Sequence, residues 1–303
     1  MSKSLDRLTL LQTFVRIADA GSISAAARDL GLSQPSVSRQ LAELESRLKA
    51  QLMRRTTHSL VLTEAGAELL ADARRLLDDW EALEEKHTAA GETVRGRLKV
   101  VAPIALGQLY LADIALQFQQ AYPLVSLSWQ LEDHAIRFAE VGCDCWIKVG
   151  AVPDESLVVE PLGQVERIVV AAPSLFRADD GPGNPAAVEA LPWVALEPFE
   201  SGRIPLTSLA GEAVVITPSV QMTTNNIFVL RRAAVAGLGA AVLPRWFVEE
   251  DLKNRQLVNV LPGWQAPKLT IHAAYLPGRR QPRRLRSFLE ILRNSVCKIP
   301  GIE

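Results

Sequence analysis

Residues 33–40 read Ser33-Gln34-Pro35-Ser36-Val37-Ser38-Arg39-Gln40, and Leu41, Leu44 and Leu48 follow at helical intervals. A serine oxygen can accept from the free N–H groups of a first helical turn. Proline is tolerated there because its missing donor would have no intrahelical partner. Ser33 therefore marks a helix start. Val37, Leu41, Leu44 and Leu48 form an apolar stripe that asks for burial. The other face is expected to carry Gln34, Ser36, Ser38, Arg39 and Gln40, gathered near the N-terminus.

Upstream, Leu8, Leu11, Phe14, Val15 and Ala18 recur at helical spacing and the run stops at Gly21, a residue type that ends helices. Ser22 is placed to cap a short helix containing Ala25-Ala26-Ala27, whose small side chains admit a close neighbour, and Gly31-Leu32-Ser33 is the turn into the third helix. A polar-faced helix held by two others presents its N-terminal end to a DNA major groove. Arg and Gln pair two atoms of one base edge, and Ser reaches a base or a phosphate. Downstream, residues 52–62 give two short β-prone stretches around a polar tip. They read as a wing, with Arg54, Arg55 and His58 where a hairpin crosses the backbone or the minor groove.

These residues closely resemble LysR-type transcriptional regulators. The shared pattern is Phe14, Gly21-Ser22, Ala25-Ala26, Leu30, residues 33–40, Leu44-Glu45, and Leu52-Met53-Arg54-Arg55 leading to Leu62-Thr63-Glu64-Ala65-Gly66. Met53 stands where the family usually has Phe, and His58 where it usually has a wing Arg. The resemblance implies an α/β protein with an N-terminal winged helix-turn-helix (residues 1–62), a long linker helix (63–92) and a two-lobed, periplasmic-binding-protein-like effector domain (96–303). The lobes are expected at about 97–164 plus 268–295 and at about 165–267.

Charge follows the same division. Residues 1–60 carry nine Lys or Arg against five acids, residues 61–90 three against eight, and the remainder 21 of each. A basic head on a neutral body is the footprint of a chain in which one module meets phosphate. Thr63 is placed to cap the linker helix, in which Gly66, Leu69, Ala73, Leu76, Trp80, Leu83 and His87 alternate at intervals of three and four. That heptad seam predicts a paired helix, with its acidic exterior held off DNA. The expected assembly is a homodimer or homotetramer.

From residue 96 the pattern changes to strands alternating with helices. Leu98-Lys99-Val100-Val101-Ala102 is a strand, a helix with Leu109, Ala112, Leu116 and Phe118 follows, and Val125-Ser126-Leu127-Ser128-Trp129 is a second strand. Val214-Val215-Ile216, a helix over 226–236 and Ala240–Pro244 suggest a further unit, and the alternation predicts a largely parallel sheet. Ligands of such sheets lie beyond strand C-termini, at helix N-termini. The candidate effector-binding residues are therefore Ile104 and Ala105, then Lys148, Val149 and Gly150, then Thr223, Thr224, Asn225 and Asn226. Lys148 and the helix starts at 104 and 226 point to a small anion or a polar molecule with an anionic group.

Other readings are weaker. Gly237-Leu238-Gly239 follows a helix and precedes a strand, the reverse of a dinucleotide fingerprint. Cys143-Asp144-Cys145 with His134 lacks a fourth matched metal ligand, so buried thiols are the better expectation and no metal or cofactor is assigned. Arg279, Arg280, Arg283, Arg284 and Arg286 read as a solvated face, or less readily as an auxiliary DNA contact. Neither a Walker loop nor a Gly-x-Ser-x-Gly elbow occurs, so no catalysis is expected. At 48% hydrophobic and 22% charged residues the composition is globular. The start lacks a secretory signal and no apolar stretch reaches spanning length, so the expected location is cytoplasmic and no membrane is involved. The functional expectation is a regulator binding double-stranded promoter DNA, answering to a small effector, with RNA polymerase as a further partner. The alternative is a small-molecule enzyme or solute-binding protein whose helical head mediates interaction, and salt-dependent binding to duplex DNA separates the two.

Overall fold

The computed structural model describes residues 6–55, 60–87, 93–175, 183–197, 202–278 and 281–303. The head begins with α1 (Arg7–Ala20), α2 (Ile23–Leu30) and α3 (Gln34–Leu48). Its capping follows the sequence signals. Gly21 and Gly31 both sit in the left-handed region, Ser22 Oγ accepts from Ala25 N–H, and Ser33 Oγ accepts from Ser36 N–H. Leu10, Phe14, Ile17, Ala26, Val37, Leu41 and Leu44 close the core between the helices. The wing is the antiparallel pair β1 (Met53–Arg55) and β2 (Leu60–Leu62), in register from Met53 with Leu62 to Arg55 with Leu60. Glu45 ties α3 to it by accepting from the N–H groups of Leu52 and Met53 at 2.8 and 3.2 Å.

Helix α4 (Glu64–His87) is capped by Thr63, whose Oγ1 accepts from Gly66 N–H at 3.0 Å. Leu70 of α4 belongs to the head core, so the linker is rooted in the head. The heptad seam is divided by this rooting. Gly66 and Ala73 are buried within the chain's own fold, whereas Leu76, Trp80 and Leu83 are 50%, 41% and 39% exposed.

The effector domain contains β3 (Gly96–Ala102), α5 (Ile104–Leu106), α6 (Ala112–Ala121), β4 (Val125–Leu131), α7 (Phe138–Val141) and β5 (Cys145–Val149). After these come β6 (Val158–Ala171), α8 (Pro185–Glu189), β7 (Trp193–Leu196), β8 (Ile204–Ser208), β9 (Ala213–Ile216), β10 (Val220–Thr224) and α9 (Ile227–Val235). The chain ends through β11 (Ala241–Pro244), α10 (Arg245–Lys253), β12 (Val258–Asn259), β13 (Trp264–Tyr275) and α11 (Arg283–Val296). Strand β3 runs parallel to β4 and β5, and β7 parallel to β10. The expectation of a largely parallel sheet is nevertheless wrong. The long strands β6 and β13 pair antiparallel from Val158 with Tyr275 to Arg167 with Ala266, and β5, β11 and β12 join them antiparallel. Two strands spanning the whole domain must run opposite ways because the chain leaves along one and returns along the other.

The helix expected after β3 is interrupted by a π-helical turn at Gly107–Leu111. An extra residue in a turn rotates the face that follows. Leu111, Ile114 and Phe118 are accordingly buried, while Leu109 and Leu116, assigned to the stripe by periodicity, are exposed. Leu48 at the end of α3 is also exposed.

Candidate nucleic-acid interface and effector cleft

At the N-terminal end of α3, Gln34, Pro35 and Arg39 are exposed, and Ser36 and Ser38 are half-buried. The hydroxyls of Ser33 and Ser36 lie 2.8 Å apart, so both help to fix the first turn. Gln40 does not belong to this face. It is buried, and its Oε1 accepts from Thr13 Oγ1 of α1 at 2.5 Å. The cause is angular: Gln40 is three residues beyond Val37 and adjoins Leu41, so it turns toward α1, and only a polar partner makes its burial tolerable. Arg54 is exposed on the wing. The Arg55 side chain and the whole of His58 lie outside the described residues.

A cavity of about 740 Å³ opens between the β3, β5 and β4–α7 segments on one side and β7, β8 and the β10–α9 turn on the other. Trp193, Trp246, Leu106, Ile227 and Leu269 give it apolar walls. Of the nine candidate effector residues, Ala105, Lys148, Val149 and Asn225 line it; Ile104, Gly150, Thr223, Thr224 and Asn226 do not. Lys148 and Val149 lie inside β5 rather than after it. The Lys148 ammonium donates to the Asp133 carbonyl at 2.8 Å, and half-burial holds its pKa below the ordinary lysine value.

The two helix starts are already occupied by side chains. Asp133 Oδ1 accepts from Ile104 N–H at 2.9 Å, and Asn226 Oδ1 accepts from the N–H groups of Phe228 and Val229. The anion-binding role expected of those termini is thus filled by the protein itself. Thr223 lies within β10 and donates to Glu197.

Three cationic side chains, Lys148, Arg167 and Arg203, face the cavity together with Glu132, Asp133 and Glu197. Arg167 donates twice to the Pro267 carbonyl, at 2.8 and 2.6 Å, and bridges β6 to β13. The sequence reading missed Asp133, Arg167, Trp193 and Trp246. A charge directly before the apolar run Ile168-Val169-Val170 was the available signal for Arg167.

Comparison with known proteins places both modules. Residues 8–67 match the bacterial regulatory helix-turn-helix family of the LysR type, and residues 91–296, more than half of the chain, match the LysR substrate binding domain. The chain belongs to the LysR family of transcriptional regulators. It is 28% identical over 306 residues to the HTH-type transcriptional regulator PtxR of Pseudomonas aeruginosa, covering 99% of this chain and 98% of that protein. It is 31% identical over 290 residues to an HTH-type transcriptional regulator of Xanthomonas campestris pv. campestris, covering 92% and 82%. Among solved structures it resembles CrgA of Neisseria meningitidis at 26% identity and a TM-score of 0.57, covering 96% and 99%.

This LysR-type regulator therefore combines a helix-turn-helix DNA-binding domain with an effector-binding domain and is not an enzyme. Among the described residues, no helix is long and apolar enough to cross a membrane. Cys143 and Cys145 are buried, and burial pushes the Cys143 thiol up to about 12. Gly237 takes a positive φ of 75° in the tight turn between α9 and β11. Of the arginine cluster, Arg279 and Arg280 lie outside the described residues; the rest is not a uniform solvated face, since Arg286 is exposed but Arg284 is buried against acids of the linker helix.

Proposed function

We propose that this LysR-type regulator reads promoter DNA with the exposed end of α3, Gln34, Pro35 and Arg39 entering the major groove while Ser33, Ser36 and Ser38 fix register. Arg54, with Arg55 and His58 of the same wing, contacts the flanking backbone. Gln40 acts from inside the head by positioning α3 on α1. The reading is supported most by Arg39, an exposed guanidinium fork on the outer face of a helix whose opposite face is locked in the core. Two heads are brought together by the stripe of Leu76, Trp80 and Leu83, giving a homodimer or a higher homo-oligomer. The regulator works in the cytoplasm, with RNA polymerase as the partner of its output.

The effector that fits the cleft is an amphipathic organic anion. Its apolar body lies against Trp193 and Trp246, and its charge meets Lys148 and the nearby arginines. Trp246 is 8% exposed, and its indole N–H has no hydrogen-bond partner among the described residues, which offers a further donor beside the cavity. Such a ligand acts by its differential affinity for two arrangements of the heads. The DNA part is tested by Arg39→Ala on an operator duplex and on random duplex at several salt concentrations. Loss of about 1 to 3 kcal/mol on the operator alone is expected of a base contact. An equal loss on both duplexes makes Arg39 a phosphate contact instead.

A further inference from the structure

The head, linker helix and effector domain meet in a charged junction at the opposite end of strands β3 and β5 from the cleft. It encloses a cavity of about 700 Å³. Two of its ion pairs fix the head: Arg74 Nη2 of α4 lies 2.6 Å from Asp19 Oδ1 of α1, and Arg97 Nη1 of β3 lies 3.7 Å from the other Asp19 oxygen. The linker fits tightly here. Gly142, at a φ of 63°, sits against the Arg74 guanidinium: a Cβ there would stand 1.8 Å from Nη2, so the end of the arginine would have to move aside, and the left-handed backbone itself disfavours a side chain.

The ion pairs around Arg284 are not balanced in charge. Arg284, at the start of α11 and only 6% exposed, donates to Asp78 of α4 at 2.9 Å and also to Glu81 of α4. Its Nη2 lies 3.8 Å from Asp144 of the effector domain. One guanidinium thus faces three carboxylates. Lys99 directs its ammonium to the Val141 carbonyl at 2.7 Å while its backbone N–H supports Asp144 at 2.7 Å, and Arg74, paired with Asp19, also acts on Asp144 through space. Arg16 of α1, Arg95 at the start of the effector domain and the Cys143 thiol border the same cavity. Asp78, Glu81 and Asp144 gather on the single Arg284 guanidinium while Arg74 is engaged by Asp19; burial raises the proton affinity of Asp144 as well as of Asp78, and a proton relieves the excess negative charge.

We propose that Arg284 is a positioning residue that clamps the linker helix onto the effector domain, and that the clamp is proton-dependent because its three carboxylate partners outnumber it. Burial first, and Asp144 second, push Asp78 up to about 7 from its ordinary 3.8. The docked state therefore binds more protons than the released state. Docking is strongest below the free value and is lost as pH rises through the docked value, with little further change above it. A third of the Asp78 side chain still meets solvent, which moderates the effect. The expected fall in the docked-to-released ratio between pH 6 and pH 8 is roughly three- to tenfold.

The clamp also bears on effector response, a consequence that rests on the cleft reading above. Strands β3 and β5 carry Arg97, Lys99 and Asp144 at or beside their starts, and lead to Ala105, Lys148 and Val149 in the cleft. A ligand that shifts these strands also shifts the clamp.

The test is a dipolar spin-label distance measurement on the full-length protein, diluted with unlabelled protein so that each oligomer carries one labelled chain. Cys297, exposed just after α11, takes one label, and Glu68→Cys at an exposed position of α4 takes the other. The wild type is expected to lose short-distance population from pH 6 to pH 8, and Asp78→Asn to stay docked with a flat profile. Arg284→Lys, which keeps the charge but not the fork, is expected to favour the released population at both pH values. A wild type that does not respond to pH, or an Asp78→Asn protein that follows the wild-type curve, overturns the proposal. Asp78→Asn is nearly isosteric and decides the matter whether or not Arg284→Lys folds. No effector or DNA enters the measurement, so it stands apart from any failure of the cleft reading.

Discussion

Replacing Gly66 by alanine sets two effects of opposite sign against each other. Gly66 is in the first turn of α4, and alanine there favours the helix by about 1 kcal/mol relative to glycine. Packing opposes the change. A Cβ at Gly66 would stand 2.0 Å from the Leu52 carbonyl oxygen and 2.9 Å from its carbon, so backbone must separate by more than an ångström to reach ordinary contact. That oxygen also accepts from Thr63 N–H at 3.0 Å, and Thr63 caps α4, so the displacement costs a hydrogen bond and loosens a cap. Overpacking costs about 1 to 3 kcal/mol, and a lost cap adds about 1 kcal/mol. The net expectation is destabilisation of the head by about 1 to 3 kcal/mol, with the wing and α4 no longer held in one geometry. Urea unfolding of the full-length protein, followed by head-specific hydrogen exchange and operator binding, measures both consequences. Unchanged or increased stability with full operator affinity would refute the close approach of α4 to Leu52.

Two further outcomes follow from exposed and half-buried side chains. Leu76→Lys places a charge on the stripe that remains uncovered in the single chain, and should weaken association in sedimentation at low concentration; an unchanged oligomer rejects this stripe as the interface. Lys148→Met removes the ammonium held by the Asp133 carbonyl and should abolish the thermal stabilisation given by organic carboxylates but not that given by neutral analogues; equal stabilisation of both proteins by carboxylates removes Lys148 from effector binding.

Local pattern carried far in the head. Ser22, Ser33 and Thr63 cap as their positions indicated, because a cap is decided within three residues of chain. Gly21 and Gly31 adopt the left-handed geometry for the same local reason. The two strands of the wing and the basic head were likewise legible. Pattern failed where a residue's fate depends on something distant in sequence. Gln40 reads as a polar surface residue until Thr13 is brought to it by the packing of α3 on α1. The helix starts at Ile104 and Asn226 read as anion sites until Asp133 and Asn226 itself are seen to fill them.

The sequence alone determined the family, the module order, the helix boundaries of the head and the periodic seam of the linker, since all of these rest on spacing over a few turns. Only the tertiary structure decided which way β6 and β13 run, which half of the seam is left uncovered and what lines the cleft. It alone brought Arg284 onto Asp78 across 206 positions of chain. The physical reason is the same in each case. Capping and amphipathicity are energies of neighbouring residues and leave a periodic trace, whereas a charge buried at a junction is made tolerable by partners from other elements, and no spacing records them.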